Sequence, residues 1–271
     1  MNPSVAYKVN EMISVGAGIN YQRADATLSN AVNFGPAGEG MATVKGDDSA
    51  WGYNVGLMFD LSPATRIGLA YRSALKYTLT GDVTFSNLPP GVGALAPDGP
   101  VRADIKLPSS ASLSLFHKID PKWDVLADVS WTDWSTLKSL DVFRTSGALL
   151  STTPLNWKDT WRVGVGANYH HNDMWTLRFG VAYDQSPVPD ADRTPRIPDQ
   201  DRFWLALGAQ YRVSKQLAVD FGYAHLFVKD ASVDLCRSAA QPGCGTARNN
   251  LVGNYNSNKV DIISAQVRYA F

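Results

Sequence analysis

One feature constrains this chain above all others: apolar and polar residues alternate, and the alternation keeps one phase through segment after segment. Trp51, Tyr53, Val55, Leu57 and Phe59 are separated by Gly52, Asn54, Gly56 and Met58. Trp161, Val163, Val165, Ala167 and Tyr169 repeat the pattern, as do Trp175, Leu177, Phe179, Val181 and Tyr183. So does the closing segment, Ile263, Ala265, Val267, Tyr269 and Phe271. Side chains in a strand alternate between faces with period two, so each segment has one greasy face. Soluble monomers avoid exposing several such faces. Between the greasy residues stand Gly, Ala and Ser with Arg, Asp, Asn and Gln, not the large apolar residues a sandwich core requires. A membrane barrel wants this pattern, with lipid on one face and a wet or side-chain-filled lumen on the other.

Two further regularities support an all-β, transmembrane antiparallel β-barrel. Aromatic residues bound the apolar face at both ends, as in Trp123 with Trp131 and Trp175 with Tyr183. At the usual strand rise such a span covers about 27 Å, close to the height of a lipid-facing band between aromatic girdles. Connections alternate between tight turns, such as Asp120-Pro121-Lys122, and long segments rich in Pro, Gly and charge. The pattern predicts about eleven strands in a single domain over residues 1–271. It predicts loops at Leu28 to Ser49, Leu88 to Pro100, 145–156 and Gln185 to Gln200. A strand from Ile67 is expected to run on to about Phe85, and another to span Ala103 to Ile119.

Composition removes several function classes. Lys and Arg together equal Asp and Glu at 25 each, for a net charge of zero, so nothing favours a nucleic-acid partner. No run of eighteen apolar residues is present, hence no transmembrane helix is expected, and the start at Met1-Asn2-Pro3-Ser4 has no signal-peptide pattern. Cys236 and Cys244 flank a Pro-Gly turn and are read as a possible disulfide in an oxidising compartment. His117, His170, His171 and His225 have no metal-ligand spacing, and no nucleophile elbow or phosphate loop is present. No catalytic residue, metal or cofactor is expected, and the chain is not read as an enzyme.

Candidate ligand-binding residues fall in two groups. The loops carry apolar residues, among them Phe34, Leu88 and Leu95, suited to catching a greasy molecule. Arg162, Arg178 and Arg202 face the lumen with Trp204, interleaved with Asp124, Asp128, Asp184 and Asp220. Pairing across strands is the plainest role for such charges. Arg193, Arg196 and Arg202, in a segment pinned by prolines, are the candidates to meet an anionic head group.

At Asn156-Trp157-Lys158-Asp159-Thr160-Trp161-Arg162, at Ala182 to Pro189, and at Arg196-Ile197-Pro198-Asp199-Gln200-Asp201-Arg202-Phe203 the chain resembles the FadL family. These are outer-membrane transporters of long-chain fatty acids, with relatives that take aromatic hydrocarbons. Thr65-Arg66-Ile67-Gly68-Leu69-Ala70-Tyr71-Arg72-Ser73 also looks like a family segment. The resemblance implies a fourteen-stranded barrel plugged by an amino-terminal hatch, of which this chain would hold about eleven strands and no hatch. It implies passive import of a long-chain fatty acid or another hydrophobic small molecule, with neutral hydrocarbons as the alternative and a general diffusion porin as a further one. It implies a multi-pass bacterial outer-membrane protein, a monomer among outer-membrane lipid and lipopolysaccharide. The terminal Phe271 resembles a signal read by the barrel assembly machinery. The family's carboxylate-binding basic residues would fall near Asn30 and Thr153, neither of which is basic. Arg23 or Arg144 is the expected substitute.

Overall fold

The computed structural model describes residues 1–235 and 251–270, so the Cys236–Cys244 pairing lies outside the described residues. In chain order the strands are β1 (Ser4–Lys8), β2 (Ile13–Asn33), β3 (Glu39–Ser62), β4 (Thr65–Arg72), β5 (Leu75–Ser86), β6 (Gly99–Leu107), β7 (Ser110–Lys118), β8 (Trp123–Thr132) and β9 (Ser139–Arg144). Then follow β10 (Leu149–Pro154), β11 (Thr160–His170), β12 (Trp175–Asp184), β13 (Arg202–Arg212), β14 (Leu217–Val228), β15 (Ala231–Asp234), β16 (Val252–Tyr255) and β17 (Lys259–Tyr269).

Eleven of these form the membrane sheet, in the order β1-β2-β3-β4-β7-β8-β11-β12-β13-β14-β17, every neighbour antiparallel. Each register sets odd residues against odd residues, as Tyr71↔Ala111 and Phe203↔Phe227. A slip of one residue would send a strand's whole apolar set to the other face; among these pairs one occurs only at the β3–β4 turn, between Asp60 and Ser62, so the greasy face is continuous. The girdles close by ring contact. Trp123 and Tyr169 (4.8 Å) and Trp175 and Tyr211 (4.7 Å) meet at the short-turn end, Tyr21 and Trp51 (4.9 Å) at the other.

The tight turns share one device. Asn10, Ser62, Asp120, Asn172 and Ser214 each use a side-chain oxygen to accept the backbone N–H groups two and three residues on. Such side-chain turns give the chain a reversal without a long loop.

The long connections depart from expectation. Residues expected as a loop from Leu28 to Ser49 continue β2 and β3 as one ladder, reaching Asn33↔Glu39. Beyond Gln22 the apolar residues of β2 change from odd to even positions: Ala24, Ala26, Leu28 and Val32. In β3 they change back between Ala50 and Trp51. The register does not slip there, so the reversal marks where the outer face leaves lipid for water and the inner face becomes apolar.

The strand expected to run from Ile67 to Phe85 breaks at Ser73-Ala74, and the one expected over 103–119 breaks at Pro108-Ser109. Proline lacks the N–H a ladder needs. Against β3, β4 pairs odd with odd (Val55↔Tyr71) but β5 pairs odd with even (Asp47↔Thr80). This one-residue slip turns the side chains over, so Leu75, Tyr77, Leu79 and Val83 point inward and are buried. Ser73 fills the irregularity, donating its N–H to Tyr53 O (2.9 Å) and accepting Tyr53 N–H on its hydroxyl (2.9 Å). Within 139–154, expected to be partly loop, β9 and β10 form a hairpin. Thus β2, β3, β5, β6, β9 and β10 build an outer sheet above the membrane. Its core is Val83, Val101, Ala103 and Val142, with Leu75, Tyr77 and Leu79 around Ala50 below.

Candidate ligand-binding site

The outer sheet curls around a cavity of about 320 Å³. Leu28 and Val32 of β2, Val44 of β3, Phe85 of β5 and Leu140 and Val142 of β9 supply apolar walls. Phe34 and Leu95 also line it, and its polar lining includes the uncharged Ser29, Asn30, Ser151, Thr152 and Thr153. The cavity is greasy because the reversed alternation places even residues of β2 and β3 inside, opposite the turned-over odd residues of β5. Among the described residues, the one charged side chain in its lining is Arg196.

Arg196 arrives from a segment far along the chain that is held rigidly. Arg193, buried to 1% exposure, donates Nε to Asp199 O (3.0 Å), Nη1 to Ser232 O (3.0 Å) and Nη2 to Asp190 Oδ1 (2.7 Å). A buried guanidinium is tolerated because its donors are met. Ser186 joins the two ends of the segment, donating its hydroxyl to Asp199 Oδ2 (2.7 Å) and its N–H to Asp201 Oδ1 (2.9 Å). Burial alone would raise the Asp201 carboxyl; hydrogen bonds from Tyr183, Lys229 and Ser186 outweigh it and hold that group below its ordinary value. From this frame Arg196 Nη2 reaches Ser29 O (2.7 Å) and Asn30 Oδ1 (3.1 Å), binding the segment to β2 across the cavity mouth.

Of the residues expected to bind ligand, Phe34, Leu95 and Arg196 come together at this cavity. Leu88 does not line it. It closes with Phe34 on Gly40, where an added Cβ would meet Leu88 Cδ2 at 2.9 Å and Phe34 Cε2 at 3.2 Å. Arg162, Arg178, Arg202 and Trp204 lie in the lumen below. Arg162 sits 5.5 Å over the Trp204 ring and 3.4 Å from Asp128; Arg202 bridges Asp184 (3.2 Å) and Asp199 (3.4 Å). Arg178 and Arg268 share Asp220, each at 2.8 Å. His170 takes Asp124 (2.7 Å), a partnership the sequence did not suggest. Neither expected substitute base lines the cavity: Arg23 pairs with Asp25 and Asp47, and Arg144 donates to Pro97 O (2.6 Å).

The wall residues of β2 and β3 were missed because that stretch reads as a loop, those of β5 because they prolong an expected lipid-facing strand, and those of β9 because no element was expected there. The signal was present as an alternation of opposite phase. Asn30 and Thr153, singled out by the resemblance, do line the cavity, beside Arg196.

The family model described as outer membrane protein transport protein (OMPP1/FadL/TodX) matches residues 1–271. The long-chain fatty acid transport protein of Escherichia coli (strain K12) is 30% identical over 273 residues, covering 86% of this chain and 61% of that protein. Outer membrane protein P1 of Haemophilus influenzae is 32% identical over 255 residues, covering 83% and 55%. The chain thus spans about 61% or less of the length of these relatives. A crystal structure of a Pseudomonas aeruginosa FadL homologue superposes with a TM-score of 0.84 at 25% identity, covering 99% of this chain and 66% of that one. The Ralstonia pickettii toluene transporter TbuX shares the fold, with a TM-score of 0.65 at 22% identity over 98% of this chain and 66% of that one. An open eleven-stranded membrane sheet, an outer apolar cavity and a family match along its whole length agree: this chain belongs to the OMPP1/FadL/TodX family of outer-membrane transport proteins.

Proposed function

We propose that this chain takes part in passive import of long-chain fatty acids across the outer membrane, with the outer cavity receiving the acyl chain and Arg196 meeting the carboxylate. The observation that carries the reading is Arg196, the sole charge among the described residues that line the cavity. Its Nη2 is engaged by Ser29 and Asn30, and a planar guanidinium keeps further donors for a carboxylate. The cavity of about 320 Å³ is about twice the ~150 Å³ that holds a single benzene ring, which favours a ligand longer than a monoaromatic. The E. coli relative's name points the same way. No step needs ATP, a cofactor or covalent chemistry.

Uptake of neutral hydrocarbons is the second reading, favoured by Asn30 and Thr153, which are uncharged where the family resemblance places basic residues. Competitive binding of oleate and toluene separates the two. Arg196→Gln is expected to weaken oleate binding about tenfold, the scale of one charge-assisted hydrogen bond, and to leave toluene unchanged. Equal oleate affinity in wild type and variant would sink the fatty-acid reading.

A further inference from the structure

The lipid-facing surface has a notch at its long-loop end. Registers align Tyr71, Ala111, Trp131 and Trp161 in one row across β4, β7, β8 and β11. Three of the four are large aromatics of the girdle and the fourth is alanine. Val55 of β3 stands in the same row, and beneath it Leu57, Leu69, Leu113 and Val129 floor a groove of about 590 Å³, open toward the bilayer. Its lining is apolar and runs across the sheet from β3 through β4, β7 and β8 to Trp161 of β11.

The same two strand partners carry a second anomaly farther out. After the breaks at Ser73-Ala74 and Pro108-Ser109 they continue as β5 and β6, with Lys76 directly opposite Lys106. Even residues of β5 face the same side as odd residues of β3, and odd residues of β3 face lipid lower down. Both lysines are therefore on the outer side, above the notch. Like charges directly opposite one another destabilise a strand pair. Among the described residues, neither ammonium has an ion-pair or hydrogen-bond partner. Of the carboxylates on that face, Asp47 pairs with Arg23 (3.1 Å), Asp82 stands opposite Lys45, and Asp104, one step from the lysine pair, accepts the Thr78 hydroxyl (2.7 Å) without contacting either ammonium. Tyr71 to Lys76 and Ala111 to Lys106 are both five-residue steps, about 16 Å along a strand and less along the normal of a tilted one. Flexible lysine stems can lean back toward the girdle.

We propose that this notch and lysine pair form a binding site for lipopolysaccharide of the outer leaflet, with one acyl chain in the groove and a phosphate between Lys76 and Lys106. Two features select lipopolysaccharide over a glycerophospholipid. The site lies at the long-loop end, which faces the lipopolysaccharide leaflet. A phosphate monoester carries close to two negative charges at neutral pH, matching two ammoniums, whereas a phospholipid diester carries one. The anion removes the lysine–lysine repulsion, and the acyl chain fills the gap in the girdle.

Native mass spectrometry of the purified full chain in detergent tests this, with added rough lipopolysaccharide, dephosphorylated lipid A or phosphatidylglycerol as probes. Wild type is expected to retain lipopolysaccharide. Lys76→Ala with Lys106→Ala is expected to weaken retention about tenfold, and Ala111→Trp, which fills the notch, by a similar factor. Dephosphorylated lipid A is expected to bind wild type no better than lipopolysaccharide binds the double variant. Lys76→Gln alone, expected to weaken binding about threefold, stands in if the double variant is not recovered. In lipid-free detergent it is expected to unfold no earlier than wild type, because it removes a repulsion; a purely structural lysine would give the opposite. Equal retention by wild type, Lys76→Gln and Ala111→Trp would overturn the proposal, as would phosphatidylglycerol binding as tightly as lipopolysaccharide.

Discussion

Arg193 Nη1 donates to Ser232 O at 3.0 Å, tying the proline-rich segment to β15 across 39 residues of chain. Two other backbone carbonyls and Asp190 share the same guanidinium. Arg193→Ala would leave these acceptors buried and unmet. Hydrogen bonds to a charged group contribute about 1.5–3 kcal/mol each, so a local loss of at least about 2 kcal/mol is expected. Amide hydrogen exchange over residues 186–200 should rise sharply while β11 to β14 stay protected. Lysine should not restore protection, since one ammonium cannot span three carbonyl directions. Unchanged exchange would mean the prolines alone hold the segment.

Gly81 sits opposite Gly46 in the β3–β5 ladder. An added Cβ would collide with the Lys45 carbonyl oxygen and approach Gly46 Cα to 2.7 Å. These are backbone atoms and cannot swing aside. Gly81→Ala is expected to part β5 from β3, opening the outer cavity and lowering oleate affinity about tenfold or more. The strand content of the membrane sheet, read by circular dichroism, should be unchanged. Normal oleate binding by this variant would show that the cavity wall is dispensable.

Asp220 is shared by Arg178, Arg268 and Gln210. Asp220→Ala would leave two guanidinium groups facing each other in the lumen. Both are about half exposed, which screens the repulsion, so a loss of about 1–2 kcal/mol is expected. Thermal unfolding in detergent would read it, and Asp220→Ala combined with Arg178→Met should recover most of the loss. A double variant no more stable than Asp220→Ala would rule out charge imbalance as the cause.

The Asp201 carboxyl is held below its ordinary value, so it binds fewer protons folded than unfolded. Its contribution is therefore present above the unfolded value, about 3.9, and fades as pH falls through the folded value beneath it. Ligand affinity should be flat from neutral pH to about 5 and drop below about 4 as Ser186, Tyr183 and Lys229 lose their shared acceptor. Asp201→Asn should show the low affinity already at neutral pH. A variant indistinguishable from wild type at pH 7 would remove Asp201 from the account.

The membrane sheet was legible because lipid imposes one rule on every strand. Trp51, Tyr53, Val55 and Leu57 announce their face without knowledge of their neighbours. The cavity was not legible in the same way. Leu28 and Val44 obey the same alternation in the opposite phase, and a reader following lipid-facing residues finds polar side chains where greasy ones should be. The break at Ser73 was hidden for a related reason: Leu75, Tyr77 and Leu79 prolong the apolar alternation, and only pairing with β3 shows that they have changed faces. Arg196 was visible as a candidate, but its contact with Asn30 spans 166 positions and is a product of tertiary structure alone.

The count of strands in the membrane sheet has a topological consequence. With eleven strands alternating in direction, the two marginal strands, β1 and β17, point the same way. Joining them directly would create a parallel seam in an otherwise antiparallel wall. A seamless cylinder needs an intervening set of strands that is odd in number, whatever supplies them, because only an odd set restores the alternation. Parity alone therefore dictates what a completing partner to this sheet must look like, before any side chain is considered.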